Sequence, residues 1–295
     1  MEKQTCQAHE SIGLRFLYRT VAGRLLLRLL TARWVSRAAG AVLDAPLSRP
    51  LIGRFLKKNG IDRADYLPEP PAKYRSFNDC FCRRIRPELR PIDRDPAHLI
   101  APCDGLLSVY RANEDTVLPI KQSRYRLSEL LGDEALAARY RDGYVLVFRL
   151  CVSHYHRYIY PESGEKGENR FLAGKLHTVR PIALEREPVF TENCREITTV
   201  MTERFGLLTQ IEVGAMLVGR ICNLHGARAV TRGEEKGYFQ YGGSTIILLV
   251  EPSAIDEPSE LLAATDAGIE TSVRMGETVA TAARKQKDTD GSTET

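Results

Sequence analysis

The chain has 295 residues, 43% of them hydrophobic and 27% charged, with 42 Lys and Arg against 38 Asp and Glu for a formal net charge of +4. That is enough apolar material for one large core or two small ones, too much for a disordered chain, and too small a charge excess to mark a nucleic-acid binder. Seven cysteines, odd in number and without a paired Cys-x-x-Cys pattern, read as thiols of a reducing compartment rather than a disulfide or metal framework.

In chain order, Glu2 and Glu10 interrupt what a secretory signal would need. The apolar stretch after them is broken by Arg every four or five positions, so no run reaches the roughly 18 apolar residues of a membrane span. Residues 11–43 hold six arginines and no acidic residue. Arg15/Arg19, Arg24/Arg28 and Arg33/Arg37 are i,i+4 pairs with leucines and Trp34 between them, which is helical spacing. On a helical wheel Arg24 and Arg28 fall opposite the other four. The pattern therefore predicts two short basic amphipathic helices with a break at Gly23. Such helices fit two roles equally: an interfacial layer with Trp34 and the leucines inserted and the arginines on anionic headgroups, or a layer packed on the protein's own core.

Beyond a connector with Pro68, Pro70 and Pro71 the pattern turns extended. Leu106 to Tyr110, Tyr144 to Val152, Leu207 to Ile221, Tyr238 to Tyr241 and Ser244 to Val250 read as strands bounded by Gly, Pro, Asp and Asn. Ser128 to Leu131 with Glu134 to Tyr140 is the one clear helix expected in this half. The stretch from Val250 onward is acidic, ten Asp and Glu to four Lys and Arg, and residues 286–295 read as a disordered tail. The fold class expected is α+β, a β-rich core with an N-terminal basic amphipathic helical layer.

Three features could carry chemistry. His154-Tyr155-His156 follows the apolar strand ending at Val152, where a rigid strand can present an imidazole for general acid/base work. Asp104, in Ala101-Pro-Cys-Asp-Gly, has turn composition that can display a carboxylate to orient a histidine, or can simply close an Asx-turn. Gly242-Gly243-Ser244-Thr245 reads either as the turn of a β-hairpin or as an open, strained peptide whose Ser hydroxyl can attack the preceding carbonyl once a base removes its proton.

Together these residues resemble the phosphatidylserine decarboxylases, from about Phe16 to Thr278. The resemblance is carried by Phe77-Asn-Asp-Cys-Phe-Cys-Arg-Arg with Arg90-Pro-Ile-Asp, by Ala101-Pro-Cys-Asp-Gly, and by Tyr155-His-Arg-Tyr with Pro161 and Gly164. It continues in Val213-Gly-Ala-Met-Leu-Val-Gly-Arg-Ile and in Glu235 to Thr245, all in the family's order. It implies a proenzyme that cuts itself between Gly243 and Ser244 into a β chain (1–243) and an α chain (244–295). Ser244 would become a pyruvoyl group, with no separate metal or pyridoxal cofactor, and that group would form a Schiff base with the substrate amine. The implied roles are Ser244 as nucleophile, His156 as its base and Asp104 as the orienting carboxylate. Many members carry a second histidine three positions after the first, where this chain has Ile159, so His177 and His154 stand as other candidates for the base.

The implied division is a helical membrane-associating region (1–70), a decarboxylase domain (71–285) and the tail. The implied reaction converts phosphatidylserine to phosphatidylethanolamine and CO2 at the cytoplasmic face of the cell membrane. Its partners are the lipid substrate, an anionic surface met through Arg15, Arg19, Arg24, Arg28, Arg33, Trp34 and Arg37, and the two processed chains, with no nucleic acid. A pyruvoyl decarboxylase of a soluble amino acid and an unprocessed lipid-binding pseudoenzyme are the competing readings.

Overall fold

The computed structural model describes residues 16–18, 20–31, 33–68, 73–112, 117–120, 123–177, 189–215, 220–241 and 244–283. Among these the architecture is α+β around a β-rich core, as expected from the sequence. The strands in chain order are β1 (Tyr66–Leu67), β2 (Arg84–Ile85), β3 (His98–Ile100), β4 (Gly105–Arg111), β5 (Val117–Ile120) and β6 (Ser123–Arg126). There follow β7 (Tyr144–Leu150), β8 (Arg157–Ile159), β9 (Gly164–Lys166), β10 (Arg170–Leu172), β11 (Arg195–Met201) and β12 (Leu207–Val213). The last are β13 (Ile221–Asn223), β14 (Arg228–Val230), β15 (Glu235–Phe239), β16 (Ser244–Val250), β17 (Thr271–Val273) and β18 (Thr278–Thr281).

Nine strands form one antiparallel sheet in the order β14-β9-β11-β12-β16-β7-β4-β17, with β10 also paired to β11. β16, Ser-Thr-Ile-Ile-Leu-Leu-Val, lies in its middle, hydrogen-bonded to β12 on one side and β7 on the other. Strands this uniformly apolar need cover on both faces, and they have it. Ile247, Leu249, Val145, Val147, Ile211 and Val213 face one core, closed by the helices Leu127–Leu131, Glu134–Ala138 and Val189–Glu192 and by Tyr18 and Leu27 of the N-terminal layer. Ile246, Leu248, Val250, Leu146, Phe148 and Leu150 face the other, closed by Tyr158 and Phe239 of the small sheet β13-β15-β8, by Leu261 and Leu262 of the helix Ser259–Asp266, and by Leu99 and Val279 of the β3-β18 pair. Each fully buried Ile or Leu in β16 contributes about 1.5–3 kcal/mol by leaving water.

The structure departs from the sequence reading in several places, among them the helix expected over Ser128–Leu131 and Glu134–Tyr140, which is two helices, Leu127–Leu131 and Glu134–Ala138, parted by Gly132 in the left-handed region. β15 and β16 do not pair as a hairpin, because β15 pairs with β8 and β13 while β16 belongs to the large sheet; Gly242 and Gly243 themselves lie outside the described residues. Residues 16–18 are helical and the next helices run Val21–Leu30 and Arg33–Asp44, so the breaks fall at Thr20 and after Leu30 rather than at Gly23. Gly23 sits in the first turn, its N–H bonded to the Thr20 hydroxyl, where a Cβ would lie 2.0 Å from the Phe16 carbonyl oxygen. The close approach of the preceding segment, not a bend, explains that glycine. The stretch 207–221 is not one strand, since β12 ends at Val213 and β13 begins at Ile221. Finally, Ser259–Asp266 is a further helix, its pattern weak because Leu261 and Leu262 are only half-buried.

Arg15 and Arg19, and the side chains of Arg24, Arg28, Arg33, Trp34 and Arg37, lie outside the described residues. Around them, Tyr18 and Leu27 are buried while Val21 (69%), Leu25 (64%), Leu26 (43%) and Leu47 (90%) are exposed. No helix among the described residues is long and apolar enough to cross a membrane.

Candidate active site

The antiparallel register brings the expected residues to one end of the large sheet. Ser244, the first residue of β16, pairs with Leu150, the last of β7, while Thr245 pairs with Val213 at the end of β12. Leu106 of β4 pairs with Arg149, which sets Asp104 just before β4 at the same end. Side chains alternate along a strand, so Ser244 shares the face of Ile246 and Leu248, the face covered by the small sheet. Ser244 is buried, 2% exposed. Gly243, on the other side of the bond expected to be cut, lies outside the described residues.

His154 and His156 occupy the loop that leaves β7 and enters β8 of the small sheet. The Cys151 N–H donates to Nδ1 of His154 at 3.1 Å, so that nitrogen carries a lone pair. Nδ1 of His156 lies 2.9 Å from the His154 carbonyl oxygen. A carbonyl only accepts, so the proton sits on Nδ1 of His156 and the lone pair on Nε2. Among the described residues Nε2 is buried with no hydrogen-bond partner. The ring packs against Phe81 at 4.2 Å between centroids, and Phe81 packs in turn on Tyr241, three residues before Ser244. Burial first, and the Arg83 guanidinium second, pull the His156 imidazole down to about 3, so it is neutral at any pH near 7. Burial also lowers His154, with Asp104 opposing the shift.

Asp104 is not bonded to His156. Its carboxylate accepts from Arg90, Nε at 2.7 Å and Nη2 at 2.5 Å, and from the Met275 N–H at 3.0 Å. Ile159, in place of a second histidine, is buried with Tyr66, Ile85, Ile100, Tyr155 and Met275, and its N–H donates to the Pro102 carbonyl at 2.9 Å. An apolar side chain here contributes packing, and a guanidinium takes the carboxylate.

His177 reaches the same sheet end from the other core. Asn193 brackets its backbone, accepting its N–H at 2.9 Å and donating to its carbonyl at 2.8 Å and to that of Gly214 at 2.7 Å. Its ring lies beside Tyr18, whose hydroxyl is 3.4 Å from Nδ1, and Glu192, 3.5 Å from Nε2. Tyr18 belongs to the core on the Thr245 and Ile247 face, so the alternation of β16 turns Ser244 away from His177 and toward the small sheet of His156.

Reading the sequence assigned no role to what supports this site. The helix Phe77–Phe81, capped by the Ser76 hydroxyl on the Asp79 N–H, supplies Phe81 under His156. Asn78 in the same helix accepts the Tyr241 N–H at 3.3 Å and donates to Asp44 at 3.0 Å, tying the segment before Ser244 to the N-terminal layer. Arg83 is buried, with Nη2 on the Ser153 and His154 carbonyls. The available signal was polar residues, Asn78 and Arg83, set among Phe and Cys, a pattern of buried hydrogen bonding.

A buried serine at a sheet end, beside the loop of a neutral imidazole that keeps an unshared lone pair, makes a candidate nucleophile-and-base site of an enzyme. A family model described as phosphatidylserine decarboxylase matches residues 77–281, which contain every part of it. The chain is 40% identical over 267 residues to phosphatidylserine decarboxylase proenzyme 2 of Clostridium acetobutylicum, covering 90% of each chain. It is 38% identical to the phosphatidylserine decarboxylase proenzyme of Ruminiclostridium cellulolyticum, again over 90% of each, and 36% identical to that of Chlamydia caviae, over 92% of each. The chain belongs to the phosphatidylserine decarboxylase family, and is an enzyme of the decarboxylase class.

Proposed function

We propose that this chain is a proenzyme that cuts itself between Gly243 and Ser244 and then decarboxylates phosphatidylserine to phosphatidylethanolamine at an anionic membrane surface. The observation that carries the reading is the lone pair on Nε2 of His156, buried without a partner beside the sheet end where Ser244 begins. His156 takes the Ser244 proton, and the Ser244 oxygen attacks the Gly243 carbonyl. The peptide bond becomes an ester, with the proton ending on the Ser244 nitrogen. Loss of the α-proton then expels the Gly243 carboxylate and leaves a dehydroalanine at 244, which tautomerises and is hydrolysed to a ketone with release of ammonia.

The residues present fit the pyruvoyl group that results. It would be held at the buried start of β16, between β12 and β7, at the sheet end where β7 gives way to the loop that carries the neutral His156. When formed, it supplies a carbonyl that can draw electrons from a departing carboxylate, the electron-sink role pyridoxal plays elsewhere. Asp104, held by Arg90, supplies the negative charge of the sheet end and favours a proton on His154 rather than bonding to His156.

The membrane part of the reading rests on the six arginines without a neutralising carboxylate in residues 11–43 and on the exposed Val21, Leu25, Leu26 and Leu47 around them. Intact mass of the denatured protein tests the cut: two chains, ending at 243 and starting at 244, with a hydrazine-reactive carbonyl on the shorter. CO2 release from phosphatidylserine vesicles, but not from free serine or another soluble amino acid, tests the substrate. A single full-length mass would overturn the reading.

A further inference from the structure

Arg83 is a charge in the wrong place for a merely structural residue. It is 2% exposed, and among the described residues no carboxylate pairs with it and its Nε has no hydrogen-bond partner. An unpaired buried cation is costly, and burial of charge is tolerated where other groups hold it. Here those groups are the Tyr66 ring, 4.4 Å from the guanidinium carbon, and three backbone carbonyls: Phe81 from Nη1 at 3.3 Å, and Ser153 and His154 from Nη2 at 3.3 and 3.4 Å. The His154 carbonyl is the same one that accepts the Nδ1–H of His156. One carbonyl therefore joins the buried cation to the imidazole.

We propose that Arg83 is the positioning residue of the base: its guanidinium fastens the Ser153–His154 backbone, so that the His154 carbonyl holds the His156 proton on Nδ1 and the lone pair stays on Nε2. This rests on the reading of His156 as the base for self-cleavage. A carboxylate in the same place would hold the ring too, but would favour its protonated form, which cannot take the Ser244 proton. A carbonyl backed by a guanidinium orients the ring and opposes its charging. The other groups around the imidazole do not replace this action. His154 is itself lowered by burial; Arg157, on the next residue, is paired with Glu235 of β15; Cys82 donates to the Phe239 carbonyl; and Tyr241 lies beyond the Phe81 ring. Lys could keep the charge at this position but not the planar fork that spans Ser153 and His154 together with Phe81.

The test follows the rate of cleavage of freshly synthesised chain from about pH 8 down to about pH 4, where a neutral base must lose its lone pair if its affinity for protons is ordinary. The parent rate should stay flat across the range, and His156→Ala should not cut. Arg83→Met and Arg83→Lys should each slow the cut on the order of tenfold to a hundredfold, as a misplaced base does. Arg83→Met should also lose rate at a higher pH than the parent, and Arg83→Lys, which keeps the cation, should not. A normal cut in His156→Ala overturns the base reading. Parental rates and pH profiles in both Arg83 variants overturn the present proposal and leave that reading standing. Nitrogen NMR of His156 in the uncut Ser244→Ala chain reads the tautomer without any cleavage. The Nδ1-protonated form alone is expected there, and a mixture after Arg83→Met; an unchanged single tautomer overturns the proposal. Should Arg83→Met fail to fold, Arg83→Lys decides in both assays, and a Lys chain that also fails to fold shows a structural role only, which overturns it as well.

Discussion

At the scale of single residues, the chemistry reduces to which nitrogen holds a lone pair and which face of a strand carries the hydroxyl. Ser244→Ala should remain one uncut chain, because no oxygen is available for the acyl shift, and intact mass reads this directly. His156→Ala should also remain uncut, whereas His177→Ala should cut at the parental rate, since its ring lies with Tyr18 in the core on the far side of β16. The reverse pattern would hand the role to His177. Asp104 calls for a different expectation from the relay the sequence suggested. The Asn of Asp104→Asn can still accept the Met275 N–H, but Arg90 then faces an uncharged amide, so cleavage should slow less than in His156→Ala and stability should fall by about 1–3 kcal/mol. Urea unfolding of the uncut Ser244→Ala chain, with and without Asp104→Asn, measures that difference; a complete block of cleavage would restore Asp104 to the proton path.

At the scale of elements, the central strands were plain in the sequence, because β7 is apolar but for Arg149 and β16 is apolar from Ile246 to Val250. The short strands at the edges of the large sheet and in the small sheets were not, since β3, β8, β9, β13, β14 and β17 are three residues each and too short to show a period. Of the two readings open at Gly242-Gly243, the hairpin failed for a related reason: local turn chemistry cannot tell that the strand before it belongs to another sheet. Serine, histidines and aspartate were legible as chemistry, but Arg83 and Asn78 act through backbone carbonyls and amides that only the fold brings near. The small sheet is fastened to the large one by a second buried group of polar residues. Lys236 of β15 donates to Glu212 of β12 at 2.7 Å, both side chains fully buried, and to Asn223 of β13 at 2.8 Å, while Gln210 and Asn223 donate to the same carboxylate. Burial lowers Lys236 and raises Glu212, each against the pull of its partner. Lys236→Met alone strands a buried carboxylate and should cost about 3–5 kcal/mol, and Glu212→Leu with Lys236→Met should recover most of it. Urea unfolding of the three chains checks this, and a double variant as unstable as the single one would contradict it.

At the scale of the whole molecule, the N-terminal layer faces two ways, with Tyr18 and Leu27 in the core and Val21, Leu25 and Leu26 exposed. Replacing Arg15, Arg19, Arg33 and Arg37 by Gln should weaken sedimentation with anionic vesicles and raise the apparent KM for vesicle substrate without changing self-cleavage. The parent's binding should fall with salt, because the attraction acts within a screening length of about 8–10 Å. Equal binding by both proteins at low and high salt would remove the arginines from the membrane role. The position of β16 has a further result for the protein's lifetime. If the chain is cut before Ser244 as proposed, the shorter piece still supplies the middle strand of the large sheet, β17 at its edge and β18 beside β3, so nothing dissociates while the fold stands. What changes is the way back after melting: folding of the intact chain is a reaction of one molecule, and re-forming the cut one needs two fragments to meet and thread a buried strand between two others. On that proposal each molecule would have one opportunity to assemble, made before the cut, and the cut enzyme should survive heat by unfolding slowly rather than by refolding.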